Sequence, residues 1–413
     1  MSSTPRVGDP SPDVLLIAHF SADDSSSNDR FSDLAGRIVA RGLDVELVTS
    51  SFSHARKEQR TWPYGDHGFR RTLIREPGYT RNVGLKRLVS HRLMARHLRR
   101  FLHARQTPDL IYCAVPSLAV ADVAARFAGE KRIPLVVDVQ DLWPEAFELL
   151  SPAPAVTRPL MHPLSRTANR VYRAADAVVA VSETYARRAD AVRTGSRSAH
   201  VVYLGTDLAK FDELRQGSRA ADVASSSDEI RIAYVGTLGH SYDLPLVCDA
   251  IAEATQKTAR RFRLVVMGDG PLTSRFQQHA EDCGVAADFV GRLPYADMVA
   301  RLGGCHVAVN PIRPGAAQSV INKVGDYAAA ALPVLNTQDN VEYRRLVAEY
   351  EAGVNCVPGD AKDLARHLCL LADNPRLREE MGANNRRMAE DHFDRSRTYP
   401  RVVELVLSLL GPS

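Results

Sequence analysis

Apolar residues arrive in short bursts separated by longer amphipathic stretches, and this rhythm runs along the whole chain. Residues 14–18 (VLLIA) are a continuous apolar run, as a parallel strand covered on both faces requires. A helical pattern follows over 31–40 and stops at Gly42. Runs at 45–49, 110–113, 135–139, 177–181 and 201–204 predict further strands, with helical segments between most of them. This is the βαβ rhythm of a doubly wound α/β sheet. The polar, serine-rich stretch 219–229 (RAADVASSSDE) breaks it and reads as a loop between domains. Strands then resume at 230–235, 264–267 and 306–310, with shorter ones at 334–336 and 354–357. Helices are predicted at 361–372 and 375–390, and a last amphipathic helix at about 397–410.

The pattern predicts two Rossmann-like domains, 1–218 and 228–394, facing each other across a cleft. The segment 395–413 should return to the first domain. Polar residues at 394–399 and Pro400 interrupt the helical run, so Val402, Leu405 and Leu409 need an apolar surface of their own. In such sheets ligands sit beyond the carboxyl ends of the strands, which directs attention to the loops that follow them.

Length and composition change this picture little: 413 residues suit two domains, and 45% apolar with 25% charged residues is ordinary for a globular chain. The net charge of +4 is no argument for nucleic acid. The local charge is more telling, with fourteen Arg or Lys against three acids between His54 and Gln106. Within that stretch, 86–106 reads as an amphipathic helix. Leu88, Val89, Leu93, Leu98, Phe101 and Leu102 can form its apolar stripe, and Lys86, Arg87, Arg92, Arg96, Arg99, Arg100 and Arg105 crowd the rest. Two readings stand: a face docking on anionic lipid, or a solvated surface helix. The six cysteines have neither Cys-x-x-Cys pairing nor a His at zinc-ligand spacing, which suggests buried thiols in a reducing cytosol. The N-terminal stretch lacks the apolar core of a signal peptide, and no run reaches 18 apolar residues. The expected location is cytoplasmic, at the periphery of the inner face of the plasma membrane if the basic helix binds lipid.

The second half carries an ordered set of marks. Gly236-Thr237-Leu238-Gly239 follows its first strand, Met267-Gly268-Asp269-Gly270-Pro271 the next, and Phe289-Val290-Gly291-Arg292-Leu293 comes later. The stretch 310–335, NPIRPGAAQSVINKVGDYAAAALPVL, closes the set. Glycine turns let backbone approach a ligand closely, and a helix opening near Val320 would offer unpaired N–H groups to a diphosphate. Arg313 and Lys323 flank that turn, suited to neutralise the charge of a bound diphosphate. The plainer alternative is that Lys323 and Asp326 form an exposed helical pair.

This ordered series resembles the donor half of family 4 glycosyltransferases, which have the GT-B fold and retain anomeric configuration. In the first half Asn28-Asp29-Arg30-Phe31, the run VTSSFSHARKEQR and Asp141-Leu142-Trp143-Pro144-Glu145 look like the subgroup that builds capsular and exopolysaccharide repeat units. The resemblance covers nearly the whole chain. It implies transfer of a sugar from a nucleotide-diphosphate donor, a UDP-sugar being the expected one, onto a glycan, lipid-linked or small-molecule acceptor. No cofactor and no metal are implied, and no Asp-x-Asp motif occurs. The family's paired glutamates, eight residues apart, correspond here to Gln318 for the donor sugar and Asp326 for the ribose. Ser319, Val320 and Ile321 would line the diphosphate turn, and Gly291, Arg292 and Leu293 the base. On the acceptor side the resemblance points to Gln140, where relatives often carry a histidine, and to Asp141, which could equally cap a helix. His19 and Asn28 would face the same cleft, although a lone His after a strand is often structural. Retention without an enzyme nucleophile implies front-face attack, the acceptor proton passing to the departing phosphate. A nucleotide-sugar epimerase and a catalytically silent scaffold subunit are the two competing readings.

Overall fold

The computed structural model describes residues 11–21, 29–54, 56–60, 68–80, 84–146, 154–194, 198–217, 228–316 and 319–411. The chain divides into two compact units, residues 1–202 with 398–413, and residues 203–397.

The first unit is built on a seven-stranded, all-parallel sheet. Its strands are β1 (Asp13–Ile17), β2 (Asp44–Ser50), β5 (Arg70–Ile74), β6 (Leu110–Val115), β7 (Leu135–Val139), β8 (Ala177–Ala180) and β9 (His200–Val201), in the order β5-β2-β1-β6-β7-β8-β9. A short antiparallel hairpin, β3 (Phe52–Ser53) with β4 (Glu58–Gln59), follows β2. The central strands β1 and β6 are almost entirely buried, which explains why they read as unbroken apolar runs. The helix Arg30–Val39 starts where Asp29 accepts the Ser32 N–H. It buries Phe31, Leu34 and Ile38 in a core shared with Val14, Leu16, Tyr112 and Val136.

The closing helix Pro400–Leu410 belongs to this unit. Pro400 sits at its first position, and Val402, Val403 and Val406 enter the same core. Burial of each contributes about 1.5–3 kcal/mol. The expected helix 397–410 is thus two pieces, Arg395–Thr398 and Pro400–Leu410, parted at Tyr399. Arg30 ties in the closing helix at its cap: its Nε donates to Asp138 Oδ2 at 2.8 Å, its Nη1 donates to the Tyr399 hydroxyl at 3.2 Å, and its guanidinium lies over the Tyr399 ring.

The second unit has a six-stranded parallel sheet: β10 (Glu229–Val235), β11 (Arg261–Met267), β12 (Ala287–Gly291), β13 (Val307–Asn310), β14 (Val334–Asn336) and β15 (Gly353–Asn355), in the order β12-β11-β10-β13-β14-β15. Its core gathers Ile232, Tyr234, Val266 and Val309 from the strands with Leu244, Val247, Ile251, Leu364 and Leu368 from the helices Leu244–Thr255 and Ala361–Asp373.

The structure moves several expected boundaries. The helix Leu208–Gly217, assigned by pattern to the first domain, lies in the second unit, where it packs against the helices Tyr295–Gly303 and Asn322–Ala329. The loop predicted at 219–229 lies mostly outside the described residues, and its last residue, Glu229, already pairs with Arg261 as the first position of β10. Two edge strands, β5 and β12, carried no apolar run. Edges bury only part of their surface, so RRTLI and ADFVG keep charged positions that mask the period.

Candidate functional site

In both sheets one central strand has neighbours reached in opposite directions along the chain. In the second unit this switch falls between β10 and β13. The loops after these strands part there, leaving a crevice where ligands bind in sheets of this kind. The carboxyl end of β10 turns at Gly236 with φ +135°, a conformation that favours glycine. A β-carbon at Gly236 would stand 3.4 Å from Lys323 Nζ.

Lys323 is the central group of this crevice. It lies in the helix Asn322–Ala329, is 6% exposed, and its Nζ has no hydrogen-bond partner among the described residues. Nζ stands 4.1 Å from the ring centre of Tyr234 and 4.0 Å from that of Tyr242. Burial holds its pKa well below the usual lysine range. The two ring faces attract the ammonium but cannot replace an acceptor. Arg313, after β13, has its Nη2 3.9 Å from Asp243 Oδ1 and a buried Nε with no partner among the described residues. Together these donors suit a diphosphate. The plainer alternative, an exposed Lys323–Asp326 pair, does not form: both side chains are buried, Asp326 bonds Thr206 and Tyr295, and Lys323 Nζ has no hydrogen-bond partner among the described residues.

The other donor-side residues divide. Gly268 does not make room for a ligand. A β-carbon there would fall 1.8 Å from the Gly236 carbonyl oxygen, so this glycine lets two backbone loops touch, and Leu238 N–H donates to the Asp269 carbonyl beside it. Thr237 is exposed, and its carbonyl accepts the Tyr234 hydroxyl at 2.8 Å. Gly239 is open on its free side, with only the Thr237 methyl at 3.7 Å. Gly291 ends β12 at φ +73°, followed by exposed Arg292 and partly buried Leu293. The helix opens at Asn322 with Ile321 as its cap, rather than near Val320. Ser319 and Val320 are buried, to the same degree as Lys323 and Asp326. Gln318 lies outside the described residues, as does Asn28.

Asp326 has a structural partner set the pattern did not suggest. Its Oδ1 accepts from the Thr206 hydroxyl at 3.1 Å and the Tyr295 hydroxyl at 3.0 Å, bracing three segments of the second unit. Burial raises its pKa to about 6, against the opposing pull of those two bonds. A ribose would therefore have to use Oδ2.

Sequence reasoning also missed the ladder beneath the loop. Asn310 Nδ2 donates to Asn336 Oδ1 at 2.9 Å and to Gln338 Oε1 at 3.1 Å. Gln338 Nε2 in turn holds the Ser319 carbonyl at 3.1 Å. Three buried amides, Asn310 and Asn336 at the ends of β13 and β14 and Gln338 in the loop after β14, fix the stretch that leads into the Lys323 helix. The only sequence signal was Asn or Gln following apolar runs, which is also common in plain turns.

In the first unit the switch falls between β1 and β6. His19 bridges it, with Nδ1 2.8 Å from Ser117 Oγ and Nε2 2.8 Å from Glu76 Oε2. It is fully buried with both nitrogens engaged, so His19 holds the loops and does not face an acceptor. Burial would raise the Glu76 pKa, but hydrogen bonds from His19, Ser50 and Ser90 hold it down at about 2. Above this anchor lie Phe20, Tyr79, His91 and Trp143, with the Arg87 guanidinium 4.7 Å from the Trp143 ring centre and Lys57 Nζ 3.2 Å from His54 Nδ1. Burial and then Arg87 lower Lys57 to about 8. Burial, then Lys57 and Arg87, push His54 down to about 3, so it is neutral. Asp141 accepts from Trp143 Nε1 at 3.1 Å and from the Tyr185 hydroxyl at 3.5 Å, and burial raises its pKa. Gln140 presents a buried Nε2 with no partner among the described residues.

Two parallel-sheet Rossmann-like units, each with polar groups gathered at a switch point, define an α/β protein of the GT-B class. Family profiles agree: residues 27–205 match the glycosyl transferase 4-like domain and residues 218–388 match glycosyl transferases group 1. The chain belongs to the GT-B glycosyltransferases of family 4. Its fold is similar to that of HepE from Anabaena, crystallised with UDP and glucose (16% identity, TM-score 0.69, 96% of this chain and 100% of that one). It is likewise similar to sucrose-phosphate synthase from Thermosynechococcus elongatus (17%, 0.73, 97% and 100%) and to WaaG, a glycosyltransferase of lipopolysaccharide biosynthesis (15%, 0.64, 95% and 99%). No curated protein sequence matches it.

Proposed function

We propose that this glycosyltransferase takes its sugar from a UDP-sugar and transfers it with retention to an acceptor hydroxyl in polysaccharide or glycoconjugate synthesis. The observation that carries the donor reading is the buried Lys323 amine beside Gly236 at the β10/β13 switch, without a hydrogen-bond partner among the described residues. A diphosphate supplies the acceptor that Nζ lacks and restores its charge. The same contact strengthens as charge grows on the leaving group, which lowers the barrier. Similarity to a protein that binds UDP supports the choice of nucleotide.

A thermal-shift panel of UDP, GDP and dTDP, each bare and as its sugar, tests this. UDP forms should raise the melting temperature most, by linkage. Equal shifts from all three would overturn the nucleotide assignment. Release of UDP only when an acceptor is present separates transfer from epimerisation, and a scaffold subunit would release none.

The membrane reading narrows. Met94, Leu98 and Leu102 of the helix Leu85–Ala104 are core, leaving Leu85 (80% exposed), Val89 (52%) and Leu88 (38%) protruding from its first turns. Exposed Lys86, Arg92, Arg96, Arg99 and Arg100 accompany them. Among the described residues no helix is long and apolar enough to cross a membrane. This basic, apolar-tipped helix suits peripheral contact with anionic lipid, where a lipid-linked acceptor would be met. Sedimentation with acidic liposomes at low salt is the measurement, and absence of binding there removes the idea.

A further inference from the structure

The second unit brings three metal-ligating side chains of different chemistry together outside its switch-point loops. The helix Leu244–Thr255 supplies Asp249, and the helix Thr273–Asp282 with its cap supplies His279 and Cys283. His279 and Cys283 are one helical turn apart, which puts imidazole and thiol on one face. Asp249 Oδ1 lies 2.7 Å from His279 Nε2 and 3.4 Å from Cys283 Sγ. One ligand atom from each of the three lies within 4.8 Å of the other two. The His279 and Asp249 side chains are 35% and 48% exposed, so an ion can enter from solvent.

We propose that Asp249, His279 and Cys283 form a zinc site that ties these two helices together, water completing the coordination. Tetrahedral zinc, with bonds of about 2.0–2.3 Å to O, N and S, spaces its ligands roughly 3.3–3.6 Å apart. The Sγ–Oδ1 separation already has that value, and the Nε2–Oδ1 pair must open by roughly 0.6 Å, a small rotation for an exposed side chain. Thiolate and imidazole select a borderline-soft ion over Mg²⁺ or Ca²⁺. Burial and the Asp249 carboxylate hold the Cys283 thiol above its usual range, so binding must release its proton. Another trio, His19, Glu76 and His91 in the first unit, is equally close. It is a poorer site, because His19 uses both nitrogens and Arg87 Nε, a cation, lies 3.5 Å from His91 Nε2. None of Asp249, His279 and Cys283 belongs to the donor crevice, so the zinc serves stability and stands apart from the transfer reaction.

Titration of the full chain with Zn²⁺, and with Co²⁺ as a spectroscopic probe, tests the assignment. One ion per chain should bind, with proton release, a thiolate-to-Co²⁺ charge-transfer band and a rise in melting temperature reversed by chelation. His279→Ala and Cys283→Ser should each weaken Zn²⁺ at least about tenfold, and Cys283→Ser should abolish the charge-transfer band. Both side chains are partly exposed, and far-UV circular dichroism checks that the variants fold. Cys248→Ser, altering the buried thiol next to Asp249, should keep the band. The proposal fails if no ion binds, if bound Co²⁺ shows no thiolate band, if Cys283→Ser binds Zn²⁺ like the parent, or if Cys248→Ser removes the band instead.

Discussion

Replacing Lys323 by Met should raise stability and lower nucleotide affinity together, a pairing that separates a ligand site from a structural one. Methionine is close in length and apolar, so it can fill the space between the Tyr234 and Tyr242 rings. It removes a buried donor that has no hydrogen-bond acceptor among the described residues. Such a group costs about 1–3 kcal/mol, of which the rings offset about 0.5–2 kcal/mol. The expected gain is therefore about 1 kcal/mol, or roughly 2–4 °C in the melting temperature of a unit this size. The loss in binding is larger. A hydrogen bond between charged groups is worth about 1.5–3 kcal/mol, so UDP affinity should fall roughly ten- to a hundredfold. UMP, with one phosphate fewer, should lose less, and uridine nothing. Calorimetry with the three ligands and differential scanning fluorimetry on the same samples decide it. If Lys323→Met binds UDP like the parent, the diphosphate assignment is refuted. If it melts several degrees lower and loses uridine in parallel, Lys323 is a packing residue and the reasoning fails.

Further tests follow from the buried polar groups. The Asp326 carboxyl, raised from 3.8 to about 6, contributes stability that is complete below pH 3.8 and is lost as pH rises through 6, about 3 kcal/mol at most. Asp326→Asn keeps an acceptor for Thr206 and Tyr295, so denaturation between pH 4 and 6 should show that slope flattened; an unchanged slope argues that the carboxyl is not protonated there. Gln338→Ala frees the Ser319 carbonyl and should cost about 1–3 kcal/mol while weakening UDP binding, although Gln338 would not touch the ligand; unaltered UDP affinity would separate the amide ladder from the site. Arg30→Ala leaves Asp138 buried and half-paired, and urea unfolding should show a loss of about 3–5 kcal/mol. A loss under 1 kcal/mol would mean the pair is incidental.

Much of the fold was legible because buried parallel strands must be apolar on both faces. The strand β7 was expected at its observed limits, and β1, β10 and β13 within a few residues. The second unit's order of glycine turns also carried the family, since backbone turns leave a local mark. Charged edge strands left none, and neither did the unit boundary, because the helix Leu208–Gly217 has a pattern that would fit either unit.

Side-chain roles were far less legible. Lys323 and Asp326, three residues apart, read as a diphosphate and a ribose ligand or, in the plainer alternative, as a surface pair; in the structure both are buried, Lys323 without an acceptor among the described residues and Asp326 braced by Thr206 and Tyr295, a bracing role neither reading contained. His19 and Arg30 likewise became anchors through Glu76, Asp138 and Tyr399, partners 57, 108 and 369 positions away. Periodicity reports which positions must leave water, a property each residue carries locally. It cannot report which distant polar group meets which, because that pairing exists only once the strands are ordered in the sheet. The class of the protein and the place of its turns are therefore legible in the sequence alone, while tertiary structure decides that one lysine among many is held buried at the β10/β13 switch, without a hydrogen-bond partner among the described residues.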